Sequence, residues 1–181
     1  MKQQQLIFCV ETNQQSDTDF QYIMSAIRHF YQCDNAHTKI NPVYLGGKGG
    51  FSTNKTVRKI NSLINQYKAG SPSGNSFVFL CLDCDNYDSS PEDLRILSDA
   101  KQYCEGFQNY RLIWFCRDVE DVFLGHQVSS NQKRNEANRF VTKCSIEQIQ
   151  AERFMAEKYR AHHSNLCLVL NQFLESKEKT G

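Results

Sequence analysis

The sequence predicts an α/β domain: a mostly parallel, four-stranded, Rossmann-like sheet with helices on both faces, followed by a C-terminal helical extension. Two observations predict this fold class. Four short apolar runs alternate with three stretches of helical apolar spacing, in the order β-α-β-α-β-α-β over residues 5–117. Acidic residues directly follow two of these runs, and a parallel sheet gathers the ends of its strands at one edge.

Each predicted strand is a run of apolar residues that stops at polar residues or glycine. The four strands cover residues 6–10, 40–45, 77–83 and 111–116. The first strand ends at Glu11 and the third at Asp83, with Asp85 two residues further on. If the third strand stays extended, Asp83 and Asp85 point to the same side, because side chains alternate along a strand.

Three amphipathic helices are predicted to connect these strands. Asp17 or Thr18 can cap the first helix, and the Ser-Pro-Glu-Asp sequence of residues 90–93 is a typical helix start. The apolar positions of the three helices are, in chain order, Phe20, Ile23, Met24, Ile27, Phe30 and Tyr31; Val57, Ile60, Leu63, Ile64 and Tyr67; Leu94, Leu97, Tyr103 and Phe107.

Residues 1–126 are predicted to form the α/β domain, and residues 127–181 to pack on it as a loop or lid followed by helices. Residues 127–139 are polar and indicate a loop or mobile lid. Helical segments are expected at about 146–159 and 166–174, and a frayed tail at 175–181.

Composition excludes some classes of protein. A formal net charge of +1 over 181 residues does not indicate a globally basic nucleic-acid binder, although a local basic patch remains open. The N-terminal apolar run is too short for a signal peptide or a membrane span, so we expect a cytoplasmic protein without a membrane partner. The eight cysteines lie mostly in apolar runs, so reduced thiols are expected and a zinc site is not.

The acidic residues at the strand ends predict a cation site. Several carboxylates in one place repel each other unless a cation lies between them, and Mg²⁺ takes oxygen ligands while it keeps several waters. Any one of these acids alone is more often a solvated loop residue or a helix cap. Glu120, in the acidic segment 117–121 after the fourth strand, would lie at the same edge; that segment also suits a capped helix start.

Glu11 and the Asp83-Cys84-Asp85 triplet resemble the signature of the Toprim domain, which is found in topoisomerases, primases and several nucleases. That family has a glutamate after its first strand and an Asp-x-Asp after its third; its next residue after the glutamate is glycine, where this chain has Thr12. Residues 119–126 further resemble RloB-like proteins of prokaryotic restriction and defence loci. The family's phenylalanine in this motif is Val119 here, and its preceding Asn-Pro is absent.

The resemblance implies one or two Mg²⁺ (or Mn²⁺) ions held by Glu11, Asp83 and Asp85, and a nuclease that cleaves DNA or RNA, in a phage-defence or mobile-element locus. Glu11 would alternatively act as general base, and Glu120 would add a ligand or orient a water. A separate ATPase subunit is an expected partner, and a homodimer is an open option.

A glycine-rich loop after the second strand has a second interpretation. Residues 49–56 nearly fit the phosphate-binding pattern G-x-x-x-x-G-K-[ST], but Asn54 replaces its second glycine. A degenerate P-loop protein that binds a nucleotide is therefore one alternative, and a non-catalytic Toprim-like binding module is another. In the nuclease interpretation, phosphate groups are expected to contact Lys48, Gly49, Lys55 and Arg117.

Further basic residues lie beyond the predicted domain. Lys133, Arg134, Arg139 and Lys143 would either guide nucleic acid or belong to a solvated loop. A haloacid-dehalogenase pattern, which also uses an aspartate pair, normally carries Thr or Val where this chain has Tyr87.

Overall fold

A computed structural model describes residues 3–177 of the chain. Its elements are β1 (Gln4–Val10), α1 (Thr18–Phe30), β2 (Tyr31–Gln32), β3 (Thr38–Tyr44), α2 (Asn54–Gly70), β4 (Asn75–Asp83), α3 (Pro91–Glu105), β5 (Tyr110–Phe115), α4 (Val119–Leu124), α5 (Lys133–Thr142), α6 (Leu166–Leu170) and β6 (Glu175–Ser176). Short 3-10 turns cover Lys48–Ser52, Ser145–Gln148 and Ala151–Phe154.

The main sheet has four strands, all parallel, as the alternation of elements predicted. The strand order, β3-β1-β4-β5, was not predicted from the sequence. β1 pairs with β3 on one side and with β4 on the other, and Val10 lies opposite both Tyr44 and Cys81. The ends of the first and third predicted strands are therefore neighbours. The short strands β2 and β6 form a separate antiparallel pair.

Apolar side chains alternate between the two faces of the sheet, and each face packs on helices. Leu6, Phe8 and Val10 belong to one core with residues of α1, α4, α5 and α6. Ile7 and Cys9 belong to the other core, with residues of α2 and α3. The prediction of helices on both faces is thereby confirmed. A parallel sheet needs this arrangement because both of its surfaces must be buried.

Helix caps match the sequence pattern in α3 and differ from it in α1. Ser90 Oγ accepts a hydrogen bond from Asp93 N at 3.2 Å, and Pro91 occupies the first turn of α3. Asp17 precedes α1 in a left-handed conformation and makes no capping bond. Its carboxylate instead accepts a hydrogen bond from the Tyr44 hydroxyl at 2.6 Å, which pins the loop after β1 to the end of β3.

The C-terminal part of the chain differs from its prediction. Part of the predicted loop is helical, because α5 begins at Lys133 and packs Ala137 and Phe140 on α1 and its neighbours. The helix expected over 146–159 is instead two 3-10 turns, and the one expected over 166–174 is only the five residues of α6.

Tertiary contacts explain why the long helices do not form. The chain before α6 lies along the outer edge of β5, where Cys116 N donates to His163 O at 2.9 Å. The Asn165 side chain accepts from Trp114 N at 2.8 Å and donates to Leu112 O at 3.0 Å. Main-chain groups of the predicted helix 146–159 pair with Ser164 in this segment: Ala156 N donates to Ser164 O at 3.1 Å, and Arg153 O accepts from Ser164 N at 3.0 Å, so they do not form helical bonds. Of the tail predicted to fray, residues 175–176 form β6, and residues 178–181 lie outside the described part of the chain.

No helix within residues 3–177 has both the length and the apolar character needed to cross a bilayer.

Candidate functional site

The strand order brings Glu11 and Asp83 together at the carboxyl edge of the sheet. Glu11 Oε1 accepts a hydrogen bond from Asp83 N at 2.7 Å. Asp83 Oδ1 accepts one from Val119 N at 3.0 Å, at the start of α4. The hydrogen bonds found within residues 3–177 thus use one oxygen of each carboxylate and fix its orientation.

Two further carboxylates lie around this pair. Asp19, in the first turn of α1, accepts a hydrogen bond from Thr12 N at 3.1 Å. Glu120, in the first turn of α4, is fully buried, and its Oε1 atom has no hydrogen-bond partner among the described residues. We call Glu11, Asp19, Asp83 and Glu120 the acid cluster. The negative charges of Glu11, Asp19 and Glu120 each raise the pKa of Asp83, so the four side chains lie close together.

Burial is the main influence on the protonation of the cluster. It raises the pKa of Glu11 to about 8, and the nearby charges of Asp19 and Asp85 add to the effect. Burial also raises the pKa of Asp83 well above its usual range, followed by repulsion from Glu11 and Asp19. The pKa values of Asp19 and Glu120 are raised for the same first reason. Without a cation, the cluster therefore retains protons at neutral pH.

One lysine reaches into the cluster from α5. Lys133 Nζ lies 2.7 Å from Glu120 Oε2. Burial lowers the pKa of Lys133, but its bond to Glu120 outweighs this, and the pKa is raised overall. Lys133 is therefore a fixed ammonium ion beside the acids. The sequence placed it among residues that guide nucleic acid or lie in a solvated loop, and the structure assigns it to this ion pair.

The Tyr22 hydroxyl is a second buried atom near Glu120 without a partner within residues 3–177. Burial raises the pKa of Tyr22, and the charge of Glu120 is the next cause. Two orphaned oxygen atoms, one on Glu120 and one on Tyr22, therefore belong to the same buried polar region. A buried polar atom without a hydrogen bond destabilises the folded protein unless a water, an ion or a ligand bonds to it.

Asp85 lies apart from the cluster, on the rim of the site. β4 ends at Asp83, and Asp85 adopts a left-handed conformation with φ of 43°, so the alternation expected to align the two aspartates stops. The half-exposed Asp85 carboxylate forms an ion pair with Lys48, which also lies 3.2 Å from Asp93. Lys48, expected to contact phosphate, is therefore held by two carboxylates.

The other predicted phosphate-binding residues lie at the surface of the same edge. Arg117 is exposed, and its main-chain oxygen accepts a hydrogen bond from Asp85 N at 2.6 Å. Gly49 is exposed in the 3-10 turn Lys48–Ser52, and Lys55 is exposed in the first turn of α2. The structure places Lys55 and Arg117 at opposite ends of the carboxyl edge, after β3 and β5 respectively.

The glycine-rich loop does not present the contacts of a phosphate-cradling loop. In a P-loop the hydroxyl at the position of Thr56 faces Mg²⁺. Here Thr56 Oγ1 donates to Gly50 O at 2.7 Å, and Thr53 caps α2 by accepting from Thr56 N at 3.3 Å. These contacts disfavour the nucleotide-binding alternative.

The acidic segment after β5 serves two purposes. Asp118 is the N-cap of α4 and accepts a hydrogen bond from Asp121 N at 2.7 Å, as a capped helix start requires. Asp121 Oδ2 lies 3.0 Å from His162 Nδ1. Only Glu120 of this segment belongs to the acid cluster.

Sequence reasoning missed Asp19, Lys133 and Tyr22 as site residues. Asp19 and Tyr22 lie within the first helix, where an acid in the first turn and an aromatic on the apolar face have ordinary structural explanations. Lys133 follows Glu120 by 13 residues in a polar stretch. Their association depends on how α1 and α5 pack over the sheet, and spacing alone carries no signal for it.

A divalent cation fits the chemistry of these donors. Within residues 3–177, no three Asp, Glu, His or Cys side chains converge closely enough to hold one ion between them. Mg²⁺ is nevertheless usually bound through one or two carboxylates, with waters and substrate phosphates as its remaining ligands. Glu11 and Asp83 provide such a pair of neighbouring carboxylates, and Glu120 Oε1 is an additional oxygen in need of a partner.

Searches of protein-family models, of curated proteins and of solved structures found no match to this chain. The likeness to Toprim and RloB-like proteins therefore depends on the motifs at residues 11, 83–85 and 119–126 alone.

Proposed function

We propose that this chain is a Mg²⁺- or Mn²⁺-dependent phosphodiesterase that cleaves nucleic acid, with Glu11 and Asp83 as the principal metal ligands. The observation that carries the proposal is that the Glu11 carboxylate accepts the main-chain N–H of Asp83, and that its charge raises the pKa of the nearby Asp83 carboxylate, at the carboxyl edge of a parallel sheet. Ligands of open α/β sheets bind at this edge. Burial makes the two anions unfavourable on their own, and a divalent cation would relieve that cost.

Groups around Glu11 and Asp83 would support this chemistry. When bound, the metal would polarise a phosphate and lower the pKa of a water. The main-chain N–H groups of Asp83 and Val119 orient the two ligands. Glu120 has a free oxygen that would hold a water or accept its proton, and Lys133 would offset the negative charge of a phosphate.

Asp85 and Glu11 have alternative assignments. The Toprim resemblance implies that Asp85 is a third ligand of the metal. To bind the metal, Asp85 would have to break its ion pair with Lys48. With its pKa raised to about 8, Glu11 is a suitable general base near neutral pH, which is the second role that the resemblance offers. On the same resemblance we place the protein in a phage-defence or mobile-element system, in the cytoplasm, beside a separate ATPase.

Titration calorimetry of Mn²⁺ and Mg²⁺ into the wild type, Asp83→Asn and Glu11→Gln tests the proposal. Asp99→Asn, an exposed acid on α3, is the matched control, and circular dichroism checks folding. Binding in the wild type and the control that is lost in both site variants supports the metal centre. Metal-dependent cleavage of DNA or tRNA, absent in Asp83→Asn, would then establish the activity. Absence of binding in the wild type would contradict the proposal.

A non-catalytic binding module is the second candidate. It is favoured by the two lysines already present, because Lys133 neutralises Glu120 and Lys48 neutralises Asp85 without any added cation. In that case the acids serve only to position α4, α5 and the loop after β4. A folded wild type that binds no divalent ion but does bind nucleic acid would favour this candidate.

A further inference from the structure

The distribution of charge along the chain is strongly uneven. Residues 35–82 contain six of the 21 Lys and Arg residues and none of the 20 Asp and Glu residues. Helix α2 alone carries four of these basic residues without an acid. The rest of the chain is net acidic, so the overall charge of +1 conceals a basic region of about a quarter of the chain.

This region forms one wall of a groove of about 760 Å³. The groove lies between the C-terminal half of β3, the first turns of α2 and the loop after β1, and none of the described acidic residues lines it. Three exposed cations do: Lys55, Arg58 and Lys59. Within residues 3–177, no carboxylate is close enough to form an ion pair with any of them. We call this feature the basic groove.

Two loops connect the basic groove to Glu11, although none of the four acids of the cluster lines the groove. Asn13 and Gln14, which line it, follow Glu11 in the loop after β1. Gly46 also lines it, and the next residue, Gly47, donates its N–H to Glu11 O at 3.1 Å. A chain of phosphates in the groove would therefore lead to the edge of the sheet at which the acids meet.

The edge strand beside the groove is unsuited to a protein strand as partner. Leu45 N donates to Val10 O, so the main-chain N–H groups at alternate positions of β3 face away from β1. Pro42 is at one of these outward positions and has no N–H to donate. Proline on an edge strand opposes the addition of another strand. A partner of the groove would therefore be bound through the unpaired cations rather than through main-chain hydrogen bonds of β3.

We infer that the basic groove binds the phosphate backbone of nucleic acid and directs it to the acid cluster. Lys55, Arg58 and Lys59 would each contact phosphate, and Asn13 and Gln14 would donate hydrogen bonds to the same backbone. The choice of nucleic acid as the polyanion rests on the proposed function, since the groove opens beside the proposed catalytic acids. Binding in the groove itself requires no metal.

The experiment measures the binding of fluorescein-labelled 30-nucleotide DNA and RNA, single-stranded and duplex, by anisotropy in EDTA at several salt concentrations. The groove variant is Lys55→Gln/Arg58→Gln/Lys59→Gln. The control variant, Lys68→Gln/Lys101→Gln/Lys158→Gln, removes the same charge from exposed positions that do not line the groove, one of them on the same helix. Circular dichroism and thermal unfolding check that both variants are folded.

We expect the groove variant to bind about tenfold or more weakly at low salt, and its salt slope to fall by about 2 to 3, because three phosphate contacts are lost. The control variant should bind within about twofold of the wild type. Equal weakening in both variants would overturn the inference, as would a wild type that binds anionic phospholipid vesicles but no oligonucleotide. Binding in EDTA without any metal-dependent cleavage would leave the groove standing and contradict the proposed nuclease. Metal-dependent cleavage by the groove variant with the KM of the wild type would support the proposed nuclease and contradict the binding of substrate in the groove.

Discussion

Replacing Glu11 with glutamine should stabilise the metal-free protein, and more so at higher pH. Glu11 has a pKa of about 8 in the folded protein against an ordinary value of 4.5. Between these values the folded state binds more protons than the unfolded state, so the free energy of unfolding falls as the pH rises. Glutamine keeps the oxygen that accepts the Asp83 N–H and removes the charge.

The magnitude follows from the two pKa values. For one independent group, the stability lost through ionisation is about 1 kcal/mol at pH 5 and about 4 kcal/mol at pH 8. Glu11 shares its protons with Asp83 and Asp19, so part of this cost stays with the neighbours in the variant. We therefore expect Glu11→Gln to gain about 2 to 3 kcal/mol at pH 8 and less than about 1 kcal/mol at pH 5.

Urea unfolding in EDTA at the two pH values, with wild type and variant side by side, measures this difference. Glu105→Gln, an exposed acid in the last turn of α3, is the control and should change stability by less than about 0.5 kcal/mol at either pH. An equal effect of Glu11→Gln at both pH values, or destabilisation at pH 8, would refute the conclusion that desolvation raises the pKa of Glu11 in the folded protein.

Three further predictions concern the same region and its support. Mn²⁺ at about 100 times its Kd should stabilise the wild type by about 2.7 kcal/mol in urea unfolding, and should leave Asp83→Asn unchanged; equal stabilisation of both would place the ion elsewhere. Lys133→Met should cost about 2 to 3 kcal/mol at pH 7, because the buried Glu120 loses its counter-ion and must take up a proton. Lys143→Met, an exposed control, should cost less than about 0.5 kcal/mol, and similar losses in the two variants would show that the Lys133 ion pair is unimportant. Ser90→Ala should cost about 1 kcal/mol in thermal or urea unfolding by removing the cap of α3, and no loss would show that the cap bond is dispensable.

The fold was predictable because its signals are local. Apolar runs of strand length, helical spacing between them and the Ser90-Pro91 start each depend on nearby residues, and the parallel sheet follows from their alternation. Three of the four acids of the cluster followed from the same signals, because Glu11 and Asp83 end predicted strands and Glu120 follows the fourth predicted strand. That β1 lies between β3 and β4, which makes the two acids neighbours, is a property of the topology and cannot be deduced from one sequence.

The residues that were missed depend on tertiary packing. Lys133 reaches Glu120 only because α5 packs on α1. Asp85 leaves the line of β4 because the strand stops at Asp83 and Lys48 holds the rim carboxylate. Main-chain groups of Arg153 and Ala156, in the predicted helix 146–159, bond to Ser164, which pairs with the edge strand β5, rather than within a long helix. In each case a contact between distant segments outweighs local propensity.

The two half-buried lysines and the proposed metal pair are compatible because the lysines form their ion pairs with other carboxylates. Lys133 neutralises Glu120 and Lys48 neutralises Asp85, whereas Glu11 and Asp83 receive main-chain N–H groups and have no direct ion pair within residues 3–177. Main-chain dipoles orient a carboxylate but do not cancel its charge, so these two acids, when ionised, repel each other and the nearby Asp19. A cation bound there would add the missing charge without displacing either lysine. In the proposed function, an added cation would therefore bind at Glu11 and Asp83, and a phosphate delivered by the basic groove would complete the coordination of the ion.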